Sequence, residues 1–223
     1  MNLCVIPARA GSKGLLNKNM RLFNGKPLVQ HIIDEALRCE FDKVVVTTDI
    51  ENLLDLVSSY GTKRLDSFYR AENLCDDDIP IFPVVLDAWG RMEATYDKVY
   101  DVITTLQPTS PFLNNNHIRE AHRRFLKTKA NSLLSVREEL HSIWKTEGGI
   151  VTPVSYQKVC RQKAHPYYVG NGAIFITDRE TLLEGDRLGG KIELYLMNEL
   201  DSFDIHTQED LENAEWLKSM RCS

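Results

Sequence analysis

Several protein classes need features that this chain lacks. No apolar run in its 223 residues approaches the roughly 20 needed to cross a bilayer. The first apolar stretch, residues 3–8 (LCVIPA), has no basic residue ahead of it and is a poor signal peptide. Positive charge is not in surplus: 27 Lys+Arg against 32 Asp+Glu leave a net charge of −5, which speaks against a surface built to wrap nucleic acid. Cysteine is sparse. Cys4, Cys39, Cys75, Cys160 and Cys222 are odd in number, widely spaced and without a CxxC pair. Free thiols in a reducing cytoplasm are the expectation. There is no internal repeat, low-complexity tract or flexible linker.

What is present is an ordinary globular composition, 43% hydrophobic and 26% charged. The length suits one domain, or one domain with an insertion, and supports a core without metal or disulfide staples. Apolar, β-branched runs at 3–8, 43–48 (KVVVTT), 99–106 (VYDVITTL) and 132–136 read as strands. Between them, 27–38, 51–60, 80–92 and 118–127 carry helical apolar spacing, with Pro27 suited to a first turn and Gly61 to a stop. Strands alternating with helices imply parallel βαβ units with right-handed crossovers. The expected class is therefore α/β, Rossmann-like, with a mostly parallel sheet. Ligands of such sheets bind beyond the C-terminal strand ends. Residues 9–14, Asp49 and 107–111 follow the first three strands and are polar or turn-forming.

From 137 to 169 the pattern becomes polar and aromatic, as an inserted arm within a single 1–223 domain would be. Its Trp144, Tyr156, Tyr167 and Tyr168 would be costly to expose on a monomer, so a subunit interface is expected there. Residues 173–177 and 192–197 read as returning strands, and Thr207 with Asp210 as a helix N-cap and acidic first turn.

The loop Pro7-Ala8-Arg9-Ala10-Gly11-Ser12-Lys13-Gly14 continues to Lys18 and Asn19. Its two glycines let backbone N–H groups turn around an anion. Arg9, Lys13 and Lys18 add three cations with phosphate-binding chemistry. The spacing is neither GxxxxGK(S/T) nor GxGxxG. A solvated basic turn is the plain alternative; its place after the first strand favours phosphate.

That loop, PARAGSKGLLNKN, resembles the N-terminal motif of the CMP-sialic acid synthetases (acylneuraminate cytidylyltransferases). TTD at 47–49, LQPTSP at 106–111, NGAIFI at 171–176 and DSFDIHTQEDL at 201–211 resemble further motifs of that family, in order along nearly the whole chain. The resemblance implies a nucleotidyltransferase domain with a dimerisation arm, acting on CTP and a nonulosonic (sialic-type) acid with Mg²⁺ as cofactor. It implies a homodimer. It further implies Ala8, Arg9, Gly11, Ser12, Lys13, Lys18, Asn19 and Arg70 at the nucleotide, and Gln107, Thr109, Ser110, Lys145, Arg161 and Asn171 at the sugar acid. Arg9, Lys18 and Asp204 would carry catalysis, with Asp204 holding the metal or helping to deprotonate the attacking hydroxyl.

This chain departs from the pattern in two places. His206 stands where the family usually has a second Asp. Neutral imidazole is a poor ligand for hard Mg²⁺, so His206 is a metal ligand, a supporting group, a general base or only a helix-cap neighbour. Val169 stands where the family often has Arg, which implies a nonulosonic acid other than the common one. An octulosonic acid as substrate, or a catalytically weak nucleotide-binding homologue, are the alternatives; Thr109, where octulosonate enzymes carry Asp, argues against the former.

The remaining polar residues have plainer readings. Asp76-Asp77-Asp78 reads as a solvated turn, and Asp49 as either a structural hydrogen-bond acceptor or a ligand contact. His31, His117 and His122 fall on helices or caps as structural groups, His141 and His165 flank the arm within reach of a sugar, and Cys4 reads as a small core residue.

Overall fold

The computed structural model describes residues 1–11, 13–76, 78–156 and 161–221, with Arg161 described by its backbone alone. The elements run β1 (Asn2–Ala8), β2 (Leu22–Phe23), β3 (Lys26–Pro27), α1 (Leu28–Leu37), β4 (Lys43–Thr48), α2 (Glu51–Ser59), β5 (Leu65–Tyr69), α3 (Ile81–Tyr96) and β6 (Val102–Leu106). They continue with α4 (Asn115–Thr128), β7 (Ser132–Glu139), β8 (Ile143–Glu147), β9 (Ile150–Ser155), β10 (Tyr167–Asp178), α5 (Arg179–Leu183), β11 (Ile192–Leu196) and α6 (Gln208–Arg221).

Seven strands form one sheet in the order β11-β7-β10-β6-β1-β4-β5. The pairs β1–β4, β1–β6, β4–β5 and β11–β7 are parallel; β10 is antiparallel to both its neighbours. The fold is thus α/β with a mostly parallel sheet. Strand β1 lies inside this sheet, and its residues from Leu3 to Ala8 are buried without interruption, as a strand covered on both faces requires. Residues of α1, α2 and α4 pack with one face of the sheet, around Val29, Ile33, Leu53 and Ile118. Residues of α3 and α5 pack with the other, around Val85, Trp89, Met92 and Leu182. A third cluster, with Leu15, Phe23, Phe112, Ile205 and Leu211, ties the first loop to α6.

Local chemistry explains the boundaries. Asn114 caps α4 by accepting from the amides of Asn116 and His117, and His117 returns the bond to the Asn114 amide. Thr207 and Asp210 cap α6 reciprocally: Thr207 Oγ1 accepts from the Asp210 amide at 3.1 Å, and Asp210 Oδ2 from the Thr207 amide at 2.8 Å. Helix α3 runs past 92 to Tyr96 and stops at left-handed Asp97. The strand expected from 99 begins only at Val102, because the Tyr100 amide is tied to Glu93 Oε1 and the Asp101 amide to the Met1 carbonyl. Strand β5, which lies at the sheet edge, has no strong apolar alternation and gave no sequence signal.

The expected arm at 137–169 divides in two. Residues at both its ends belong to the main sheet, where Arg137 pairs with Val169 and Glu139 with Tyr167. The rest contains a separate hairpin of β8 and β9. Its turn, Gly148-Gly149, has both residues at positive φ (56° and 80°), which L side chains resist and glycine accepts. No helix among the described residues is long and apolar enough to cross a membrane. Cys4, Cys39 and Cys75 carry free thiols; Cys160 and Cys222 lie outside the described residues.

Candidate active site

The chain passes from β1 to β4 and β5 on one side, then returns to β6 on the other. Beyond the C-terminal ends of β1 and β6 this switch opens a crevice. A cleft of about 330 Å³ lies there, lined chiefly by Arg9, Lys13, Lys18, Arg70, Gln107 and His206. Gly14, Asn19, Thr109, Pro7, Pro108 and Ile81 complete its wall.

The loop after β1 is held from several directions. The Ala10 amide donates to Asp49 Oδ1 at 2.7 Å. Asn19 is buried, and its Nδ2 donates to the Arg9 carbonyl at 2.8 Å. Arg9 reaches the Cys75 carbonyl at 3.4 Å. Lys18 Nζ donates to the Ile205 carbonyl at 2.8 Å. Burial lowers the Lys18 pKa; nearby Asp204 opposes that effect and Arg9 reinforces it. Of the open readings for Asp49, the structure displays the hydrogen-bonding one: it fastens the loop.

Arg70 is 2% exposed. Its amide donates to the Thr48 carbonyl and its guanidinium to the Thr47 carbonyl at 2.9 Å. Its Nε, like Thr47 Oγ1, is buried without a hydrogen-bond partner. A buried donor left unpaired on a cleft wall is costly unless something fills the cleft. Burial lowers the Arg70 pKa, against the pull of Asp49.

Gln107, also on the cleft wall, lies beside Gly172, whose φ of +76° favours glycine and whose added Cβ would meet the Gln107 amide at an ordinary contact distance of 3.8 Å. Thr109 and Ser110 are buried, and the Thr109 carbonyl accepts from the Ile205 amide at 2.9 Å. Ile205 therefore joins two loops, one through its N–H and one through its C=O. It separates Asp204 from His206, whose Nε2 lies 3.0 Å from Asp204 Oδ2. Asp204 Oδ1 is buried with no partner. Ile205 and Ile81 give no sign of these roles in the sequence, since an isoleucine carries no signal of its backbone or wall role.

Among the described residues, Asn171, Lys145, Ala8 and Gly11 are expected site residues that do not line this cleft. Asn171 is buried, accepts from Ser135 Oγ at 2.5 Å and from the Ala173 amide, and donates to Ser202 and Met197. Lys145 is exposed on the β8–β9 hairpin, 3.5 Å from Glu147. Ala8 is wholly buried at the end of β1, and Gly11 is exposed on the loop. Ser12 and the Arg161 side chain lie outside the described residues. So does Asp77; of its neighbours, Asp76 Oδ1 accepts from the Asp78 amide, as in a turn.

Among the described residues no three His, Cys, Asp or Glu side chains converge as a metal-binding group. Mg²⁺ needs no such cage, since it takes one or two carboxylates with substrate phosphates and water. The unpartnered oxygen of Asp204 fits that mode of binding.

A mostly parallel sheet with a cation-lined cleft at its switch point is the arrangement of α/β nucleotide-binding folds. The family model described as cytidylyltransferase matches residues 3–223. N-acylneuraminate cytidylyltransferase of Escherichia coli is 34% identical over 226 residues, 95% of this chain and 51% of its own length. This chain thus spans about half of that relative. The CMP-N,N′-diacetyllegionaminic acid synthase of Legionella pneumophila is 34% identical over 93% of this chain and 92% of its own. Pseudaminic acid cytidylyltransferase of Campylobacter jejuni is 36% identical over 61% of this chain and 58% of its own. In structure, a CMP:2-keto-3-deoxy-manno-octonic acid synthetase complexed with CTP superposes with a TM-score of 0.73 at 16% identity, over 99% of both chains. The chain belongs to the cytidylyltransferase family, among the relatives of the CMP-nonulosonic acid synthetases.

Proposed function

We propose that this protein activates a nonulosonic acid: CTP and the sugar acid give the CMP-sugar acid and pyrophosphate. The observation that carries the proposal is the cation-lined cleft, with Lys18 fastened to the segment that presents Asp204. The sugar's anomeric oxygen attacks the α-phosphorus, the bond to the pyrophosphate oxygen breaks, and the hydroxyl proton leaves. Such transfers depend on positioning and charge neutralisation. A triphosphate carries about four negative charges; Arg9, Lys13 and Lys18 match it chemically. Arg70, with its unpaired Nε, offers a donor to the nucleotide, and Asn19 keeps the loop in shape. Ser12 would join them by its place in the motif.

Gln107, Thr109 and Ser110 belong to the sugar-acid side. Lys145, Arg161 and Asn171 are proposed there through the arm and the strand behind it. Asp204 would hold Mg²⁺, with His206 beside it, and the metal when bound would neutralise phosphate charge. Asp204 also stands ready to accept the hydroxyl proton. One catalytic unit over 1–223, a homodimer joined through the arm, and a cytoplasmic location complete the proposal.

The test is pyrophosphate release on mixing the protein with CTP, Mg²⁺ and a panel of nonulosonic and octulosonic acids. Turnover with a nonulosonic acid is expected. Turnover with the octulosonic acid alone would reassign the substrate, and CTP binding without turnover on any acid would leave a nucleotide-binding protein.

A further inference from the structure

Asp204 is carried by no helix or strand. It sits in the connection between β11 and α6, and a connection holds a carboxylate in place only where it is itself held. Asp201, three residues earlier, is 7% exposed. Its Oδ1 accepts from Arg221 in the last turn of α6 at 2.9 Å. Its Oδ2 accepts from Asn198 Nδ2 and lies 3.4 Å from Nε2 of His117, in the first turn of α4. The Asp201 amide donates back to Asn198 Oδ1 at 2.8 Å. The next residue, Ser202, accepts from Asn171 Nδ2 at 2.9 Å, and Asn171 is fastened to Ser135 of β7. Beyond Asp204, Ile205 is bonded to Thr109 and Lys18. The connection is thus fixed on both sides of Asp204.

A buried carboxylate is a weak device for stability, because pairing does little more than offset its desolvation. It is a strong device for geometry, since donors from two helices and the connection itself meet on one group. The geometry points to Asp201 as the positioning residue for Asp204: its carboxylate is taken up by Arg221, Asn198 and His117, and it sets where the Asp204 carboxylate stands beside His206 of the cleft wall. The inference rests on the proposed role of Asp204 at the divalent metal.

Mn²⁺ binding in the presence of CTP, followed by electron paramagnetic resonance, tests it alongside turnover. Asp204→Asn tests the underlying reading: unchanged Mn²⁺ affinity would remove Asp204 from the metal and the inference with it. If Asp204→Asn weakens Mn²⁺, Asp201→Asn is expected to weaken it about tenfold and to lower kcat about tenfold, with the KM for CTP within about twofold. Asp66→Asn, which breaks an ion pair with Lys43 at the far sheet edge, controls for lost stability. Arg221→Gln removes one anchor from a half-exposed position and should show the same split at about threefold, which decides the matter should Asp201→Asn not fold. Mn²⁺ affinity and kcat at wild-type values in the Asp201 and Arg221 variants, or losses matched by Asp66→Asn, would overturn the inference.

Discussion

A methyl group at Gly14 would lie 2.5 Å from the carbonyl oxygen of His206. That neighbour is backbone and cannot swing aside, so the first loop and the Asp204–His206 segment approach as closely as they do only because residue 14 is glycine. Gly14→Ala is expected to push the two segments apart, at a cost of about 1–3 kcal/mol in stability for a tight contact, and thereby to weaken CTP binding. Calorimetric titration with CTP reads it; affinity within about twofold of wild type would show that the two segments separate freely. Gly90→Ala is the comparison. Gly90 lies in exposed helix with nothing within 4 Å of a new Cβ, and the change should raise stability by about 0.5–1 kcal/mol while CTP binding stays the same. Some of the site chemistry is legible in single residues. The cations Arg9, Lys13 and Lys18 stand out by type and spacing, and the structure brings all three to the cleft wall. Asn171 stands out equally, and its amide also bonds Ser135, Ala173, Ser202 and Met197. Only the folded chain reveals how many of its hydrogen bonds are already made.

At the scale of the element, α4 carries a titration as well as a cap. His122 donates or accepts at 2.7 Å with Thr104 Oγ1 on β6 and stands edge-on to Phe41. Burial lowers its pKa from 6.5 to about 4. The folded state therefore binds fewer protons than the unfolded state between those values, and stability falls as pH drops from about 6.5 towards 4. The part due to His122 amounts to at most about 3 kcal/mol. His31 and His117 are shifted downward too, chiefly by burial, and add in the same sense. Urea denaturation across that pH range should show a shallower slope for His122→Gln than for wild type; parallel curves would mean that the imidazole is not held neutral. The elements themselves were legible where apolar spacing is strong, as in α1, α4 and β1. They were illegible where it is weak, as in edge strand β5, or where a distant group intervenes, as Glu93 and Met1 do in delaying β6.

For the whole molecule, the hairpin needs a cover. Two strands alone are marginal in water, and β8–β9 exposes Trp144 at 52%, Ile150 at 67%, Val151 at 60% and Val154 at 59%. Trp144 leans on Tyr156 with ring centres 5.5 Å apart, which shields little of either. A second copy of the chain is the proposed cover. Light scattering coupled to size exclusion should give the mass of a dimer for wild type and of a monomer for Trp144→Glu combined with Val154→Glu. A wild-type monomer would remove the interface, and a dimeric double variant would move it elsewhere.

Local pattern alone determined the alternation of strands and helices, the α/β class, the cationic first loop and the cluster of motifs along the chain. These depend on residues a few positions apart, so side-chain period, turn chemistry and charge spacing record them directly. Tertiary structure alone decided that β10 runs antiparallel between β6 and β7, that Lys18 meets a carbonyl 187 residues away, and that Arg70 is buried with an unpaired donor on the cleft wall. Those outcomes depend on which distant surfaces desolvate one another, and no short-range spacing encodes that.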